Sequence, residues 1–180
     1  MRREFVQTKG AVYVLNVYTG ESSTLIQEEE TAVPTGGTLG ANGLKVLPIK
    51  GTDTVYVYFD NTDAELLCRV PISLSKLEKT GPVETLQSGY SVDDFMLDTI
   101  EGVVYMAGGG TDSISRMSLS GEKVTTVLGG VNDTFIEGPT SVFIGRGFTD
   151  KPVKYITTNG GLVSPINGFT EGGRVVAMII

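Results

Sequence analysis

Three polar residues occupy matching points of a recurring pattern: Asn42 within Gly40-Ala41-Asn42-Gly43-Leu44-Lys45-Val46, Asp93 within Ser91-Val92-Asp93-Asp94-Phe95-Met96-Leu97, and Thr140 within Gly138-Pro139-Thr140-Ser141-Val142-Phe143-Ile144. Each stands just before a short apolar run of the kind that forms a strand. If those runs are the innermost strands of successive units around one axis, the three side chains converge there, where a small ligand would sit. Asn and Asp offer hard oxygen donors that suit calcium or magnesium rather than a soft metal. The same residue types also form turns by bonding their own backbone, so a structural role at a strand entrance stays open.

Other chemistry is excluded by composition. The chain has no histidine, which rules out Ser-His-Asp and Cys-His arrangements and a His-ligated zinc within it. A general base must then be a carboxylate, a Lys or a Tyr. The one cysteine, Cys68, cannot close a disulfide inside the chain and reads as a small buried apolar residue. Gly108-Gly109-Gly110 is not followed by a helix and reads as a hairpin rather than a phosphate cradle. The acidic run Glu28-Glu29-Glu30 reads as a solvated loop, and Asp98, at the head of a strand turn, is expected to be exposed.

The elements that would position these residues are strands. Of the 180 residues 40% are hydrophobic, enough for a sizeable core, and the apolar residues fall in short runs separated by 24 glycines and other turn formers. No convincing helix appears. The net charge of −7 argues against a nucleic-acid partner, whose phosphates need a basic surface. No apolar stretch approaches the ~20 residues that span a bilayer. Met1-Arg2-Arg3-Glu4 lacks the apolar core of a signal peptide, so the expectation is a soluble chain without an address, compatible with secretion or the cytoplasm.

Self-similarity organises the whole chain. Arg69-Val70-Pro71-Ile72-Ser73 recurs as Arg116-Met117-Ser118-Leu119-Ser120, a shift of 47 residues, and Val57-Tyr58-Phe59 recurs as Val104-Tyr105-Met106 with the same shift. An all-strand repeat of this length is the signature of propeller blades. The first full blade (40–88) has strands near 42–47, 54–59, 65–71 and 82–88, and the second (91–128) near 92–97, 102–107, 112–118 and 123–128. The last (138–180) has strands near 139–145, 153–158 and 173–180 and lacks its outer strand. Residues 1–30 supply the outer two strands of an earlier blade, Gly10 to Asn16 and Glu21 to Gln27. The expected fold is therefore an all-β propeller of four-stranded antiparallel blades, about half of a six-bladed ring. The missing half would come from a second chain or a copy of this one, because open sheet faces and edges invite aggregation.

Gly10-Ala11-Val12-Tyr13-Val14-Leu15-Asn16-Val17-Tyr18-Thr19-Gly20-Glu21, Ala41-Asn42-Gly43-Leu44 and Asp93-Asp94-Phe95-Met96-Leu97-Asp98 resemble the SMP-30/gluconolactonase-like six-bladed propellers. Gly138 to Arg146, Tyr155 to Gly161 and Glu171 to Val175 look most like the fungal branch of that family, found among natural-product tailoring proteins. The resemblance covers nearly the whole chain but only the C-terminal half of a family member. It implies one divalent cation, typically calcium, in a central channel, with Asn42 and Asp93 at two ligand positions and Asp93 also handling a proton as water attacks a lactone or ester. Asp94 stands where the family prefers Gly. Asp94, Thr140, Ser141 and Asn159 are the candidate substrate contacts, and the loop 159–172, with Leu162, Val163, Pro165 and Ile166, is long enough to wall a pocket. Two alternatives follow: a metal-free pericyclase or cyclase that uses the channel as an apolar pocket and needs no cofactor, and a binding propeller with no chemistry.

Overall fold

The computed structural model describes residues 3–8 and 10–179. Its strands form four antiparallel sheets. The first contains β1 (Arg3–Thr8), β2 (Ala11–Asn16) and β3 (Ser22–Ile26). The second contains β4 (Ala41–Pro48), β5 (Thr54–Asn61), β6 (Leu66–Ser73), β7 (Glu78–Lys79) and β8 (Glu84–Ser88). The third contains β9 (Asp94–Asp98), β10 (Val103–Gly108), β11 (Ser113–Ser118) and β12 (Thr125–Gly129), and the fourth β13 (Pro139–Ile144), β14 (Val153–Thr158) and β15 (Val175–Ile179). Helical structure among the described residues is a single 3-10 turn, Glu29–Thr31. The chain divides into two compact units, Met1–Tyr90 and Ser91–Ile180, each holding two sheets.

The repeat seen in the sequence is a repeat of register. Tyr58 pairs with Arg69 and Phe59 with Cys68, while Tyr105 pairs with Arg116 and Met106 with Ser115. The irregularity recurs as well: a β-bulge falls between Leu67 and Cys68 in one unit and between Ile114 and Ser115 in the other. Another lies between Val12 and Tyr13. A bulge adds local twist and re-aims the outer strand.

Two departures from the expected strands have local causes. The first sheet has three strands, not two, because β1 also pairs along β2. Its sequence, Arg-Glu-Phe-Val-Gln-Thr, has no alternation of apolar and polar residues to announce a strand. The outer strand of the second sheet is split into β7 and β8, both paired to β6. Pro71 has no N–H for that edge, its carbonyl accepts from Thr80, and Gly81 lies against its ring, so pairing breaks there.

Sheet-on-sheet packing makes the cores. In the first unit Val12 and Ile26 of the first sheet meet Val55, Val57, Phe59, Cys68, Val70 and Ile72 of the second. In the second unit Met96, Tyr105, Ala107 and Ile114 of the third sheet meet Val142, Ile156 and Met178 of the fourth. Cys68 is fully buried, and burial pushes its thiol up to about 11.

One exposure expectation fails. Asp98 is buried rather than exposed, because Lys154, also buried, reaches it from β14 at 3.7 Å. The acidic run stays at the surface, with Glu29 exposed and Glu28 and Glu30 half-buried; Glu28 also caps the 3-10 turn and pairs with Lys79.

Candidate functional site

In the first unit the second residue of β4 is Asn42, where pairing with β5 is irregular between Ala41 and Leu44. Its Nδ2 donates to Thr62 Oγ1 (3.2 Å), and the Thr62 hydroxyl donates to Asp60 Oδ2 (3.2 Å). Oδ1 of the buried Asp60 accepts the Gly43 N–H at 2.8 Å. The chain of bonds fixes which way the Asn42 amide points. Asn61 secures the preceding loop by donating to the Glu30 and Ala32 carbonyls.

In the second unit Asp93 immediately precedes β9, and its N–H donates to the Ala107 carbonyl at 2.9 Å. Asp94 opens β9 and accepts the Ser141 hydroxyl from β13 at Oδ2, 2.7 Å away. Thr140, beside Ser141, shares a hydroxyl–hydroxyl bond of 2.9 Å with Thr157. Asp93, Asp94, Thr140 and Ser141 are thus gathered at the entry ends of two neighbouring inner strands, all partly exposed. Nothing in the sequence announced the Asp94–Ser141 bond as such, although both lie at the same step of the repeat.

Asn159 has a different job. Its Oδ1 accepts the N–H groups of Gly161 (3.0 Å) and Leu162 (3.1 Å), a turn that starts the loop 159–172. A second tie comes from Glu137, whose Oε1 accepts the Ile166 N–H at 2.7 Å and whose side chain is buried under Gly161. Within that loop Leu162 and Val163 are exposed and Ile166 is half-buried.

A buried ionic group lies deeper in the same unit, and sequence reasoning missed it. Lys154 Nζ donates to Glu101 Oε1 at 2.5 Å, faces Asp98 Oδ2 at 3.7 Å and sits 5.3 Å from the Tyr105 ring centre. Tyr105 donates its hydroxyl to Glu101 Oε2 at 2.8 Å. Asp98 in turn accepts the Ile100 and Glu101 N–H groups. Desolvation pulls the Lys154 ammonium down, but the bond to Glu101 and the field of Tyr105, Glu101 and Asp98 outweigh it, leaving its pKa raised. Glu101 is lowered by its bonds from Lys154 and Tyr105. The signal available in the sequence was the Lys in an otherwise apolar strand pattern, Val-Lys-Tyr-Ile.

As to a cation, Asn42, Asp93 and Asp94 are the right chemistry for calcium or magnesium, which take six to eight oxygens in the first case. Among the described residues no three His, Cys, Asp or Glu side chains are grouped closely enough to hold a metal. Taken one by one, these donors fit a hard cation in kind.

No protein-family model and no curated protein matches the chain. Solved structures match it by fold. A luciferin-regenerating enzyme aligns with TM-score 0.65 and 18% identity over 93% of this chain and 50% of its own. A calcium-binding protein, regucalcin, from Agrobacterium tumefaciens aligns with TM-score 0.63 and 19% identity over 93% and 51%. A chain of a nidogen/laminin complex aligns with TM-score 0.60 and 14% identity over 95% and 59%. At these identities the likeness defines the fold: the chain is part of a β-propeller built of antiparallel blades. It spans about half the length of these solved structures. No helix among the described residues is long and apolar enough to cross a membrane.

Proposed function

We propose that this chain is part of a small-molecule enzyme of the SMP-30/gluconolactonase type, hydrolysing a lactone or ester with the help of a divalent cation. The observation that carries the reading is the Asp94–Ser141 bond, which gathers Asp93, Asp94, Thr140 and Ser141 where two inner strands begin. The fold shared with a calcium-binding regucalcin supports it. The solved structures share a propeller fold with the chain and carry nothing toward a fungal branch.

On this reading Asn42 and Asp93 would each serve as a ligand to the cation, calcium in the first instance. When bound, the cation polarises the substrate carbonyl and lowers the pKa of water. Asp93 accepts a proton from the attacking water, since no histidine is available. Ser141 holds Asp94 by its hydroxyl, which keeps that carboxylate turned toward β13 and leaves Thr140 beside it to meet substrate hydroxyls. Asn159 acts through the loop it anchors.

Hydrolysis of a panel of γ- and δ-lactones and aryl esters, followed with calcium and with EDTA, tests this. Turnover should be lost in EDTA, restored by calcium, and reduced at least 100-fold in Asp93→Asn, the scale of a lost acid–base group. Turnover that survives Asn42→Ala and Asp93→Ala would contradict it and speak for an apolar-pocket mechanism.

A further inference from the structure

One turn of the second unit carries a pattern that the proposed chemistry does not use. Between β12 and β13 the chain reads Val131-Asn132-Asp133-Thr134-Phe135. Asn132-Asp133-Thr134 has the Asn-x-Thr form, with no proline in the middle, that an N-linked oligosaccharide requires. The other asparagines, Asn16, Asn42, Asn61, Asn159 and Asn167, are followed two residues on by Tyr, Leu, Asp, Gly and Phe, so none of them repeats the pattern.

The turn is built without the two side chains that matter. The Asp133 N–H donates to the Gly130 carbonyl at 2.9 Å, and Asp133 Oδ1 accepts the Phe135 N–H at 2.8 Å. Arg174 Nη1 donates to the Thr134 carbonyl at 3.0 Å and pins the far side. Asn132 itself stands at φ +66, the left-handed conformation that Asn adopts more readily than most residues with a Cβ. Asn132 and Thr134 are both exposed, and among the described residues neither the Asn132 amide nor the Thr134 hydroxyl has a hydrogen-bond partner. A bulky group on Asn132 would therefore break no bond of the fold.

The neighbours of the triplet add a second observation. Val131, 75% exposed, and Phe135, 58% exposed, flank it on either side. Two large apolar side chains left to water around an exposed polar triplet suit a covering group with both C–H faces and hydroxyls, which is what a sugar ring offers.

We propose that Asn132 is the acceptor for an N-linked oligosaccharide. Its Nδ2 forms a bond to C1 of the first sugar of a lipid diphosphate-linked oligosaccharide, the bond from C1 to the phosphate oxygen breaks, one amide proton is released and the lipid diphosphate leaves. No oxidant or reductant takes part. The transfer belongs to the oxidising lumen of the secretory route, and the single cysteine suits that compartment, since Cys68 is fully buried. The proposal stands apart from the catalytic reading: a propeller with no chemistry would carry the same group.

Expression of the chain behind a cleavable leader in eukaryotic secretory cells tests it. Mass is read in both the medium and the lumenal fraction, so that a retained chain is scored as well. The expected product is heavier than the 19.1 kDa chain by one oligosaccharide, returns to that mass with peptide N-glycosidase, and then shows aspartate at position 132 by peptide mass spectrometry. Thr134→Ser should keep the added mass because it keeps the hydroxyl. Thr134→Val, which preserves the shape of the side chain, should lose it, and so should Asn132→Asp, which tolerates the same backbone conformation. A native chain at the bare mass in both fractions overturns the proposal. So does an added mass that persists in Thr134→Val and Asn132→Asp, or one that the glycosidase does not remove.

Discussion

Among the described residues Lys154 pairs with Glu101 and Asp98. Glu101 can turn to water, but Asp98 is buried and would be stranded if the ammonium were removed. Lys154→Met should therefore cost about 3–5 kcal/mol of unfolding free energy in urea, and adding Asp98→Asn should recover part of the loss. The pH dependence follows from the two shifts. The Glu101 contribution is complete above the ordinary Glu pKa of about 4.3 and disappears as pH falls through its lowered folded value. The Lys154 contribution is complete below the ordinary Lys pKa of about 10.4 and disappears as pH rises through its raised folded value. Urea midpoints across pH should fall at both ends for the native sequence, and the alkaline decline should be smaller in Lys154→Met. Cys68 gives a second prediction at this scale. Buried, with its thiol pushed up to about 11, it should resist a disulfide reagent at pH 8 in the folded protein and react within minutes in guanidinium.

At the scale of elements, the loop 159–172 shows how a binding wall can be held by a few bonds. Gly138, at φ +62, lies where a Cβ would run into the Asn159 side chain that anchors the loop. Gly138→Ala should cost about 1–3 kcal/mol and loosen the loop, seen as faster proteolysis between 162 and 168. Gly172→Ala, with open space around its position, is the matched control and should change neither. The strands were legible from sequence where side-chain pattern and register repeat together, as in Val57-Tyr58-Phe59 and Val104-Tyr105-Met106. β1 was not, because Phe5 and Val6 are adjacent rather than alternating and the strand is specified by pairing with β2. The split of β7 from β8 follows from Pro71, visible in sequence, but which edge lacks the donor depends on the direction its carbonyl points. Polar ties such as Asp94–Ser141 join residues 47 apart, and no local rule could have paired them.

At the scale of the molecule, one rule of sheet-on-sheet packing explains the core of each unit. Within each unit one sheet buries a face against the other, and in the fourth sheet Phe143, Tyr155, Val175 and Ile179 are exposed. The candidate residues Asn42, Asp93 and Asp94 carry oxygens of the kind a hard cation takes. A calcium titration by calorimetry on the native protein, repeated on Asp93→Asn, bears most directly on the reading of the site. Saturable binding that disappears in the variant, with its fold intact by circular dichroism, is the predicted result, and a native protein that takes up no calcium would contradict it.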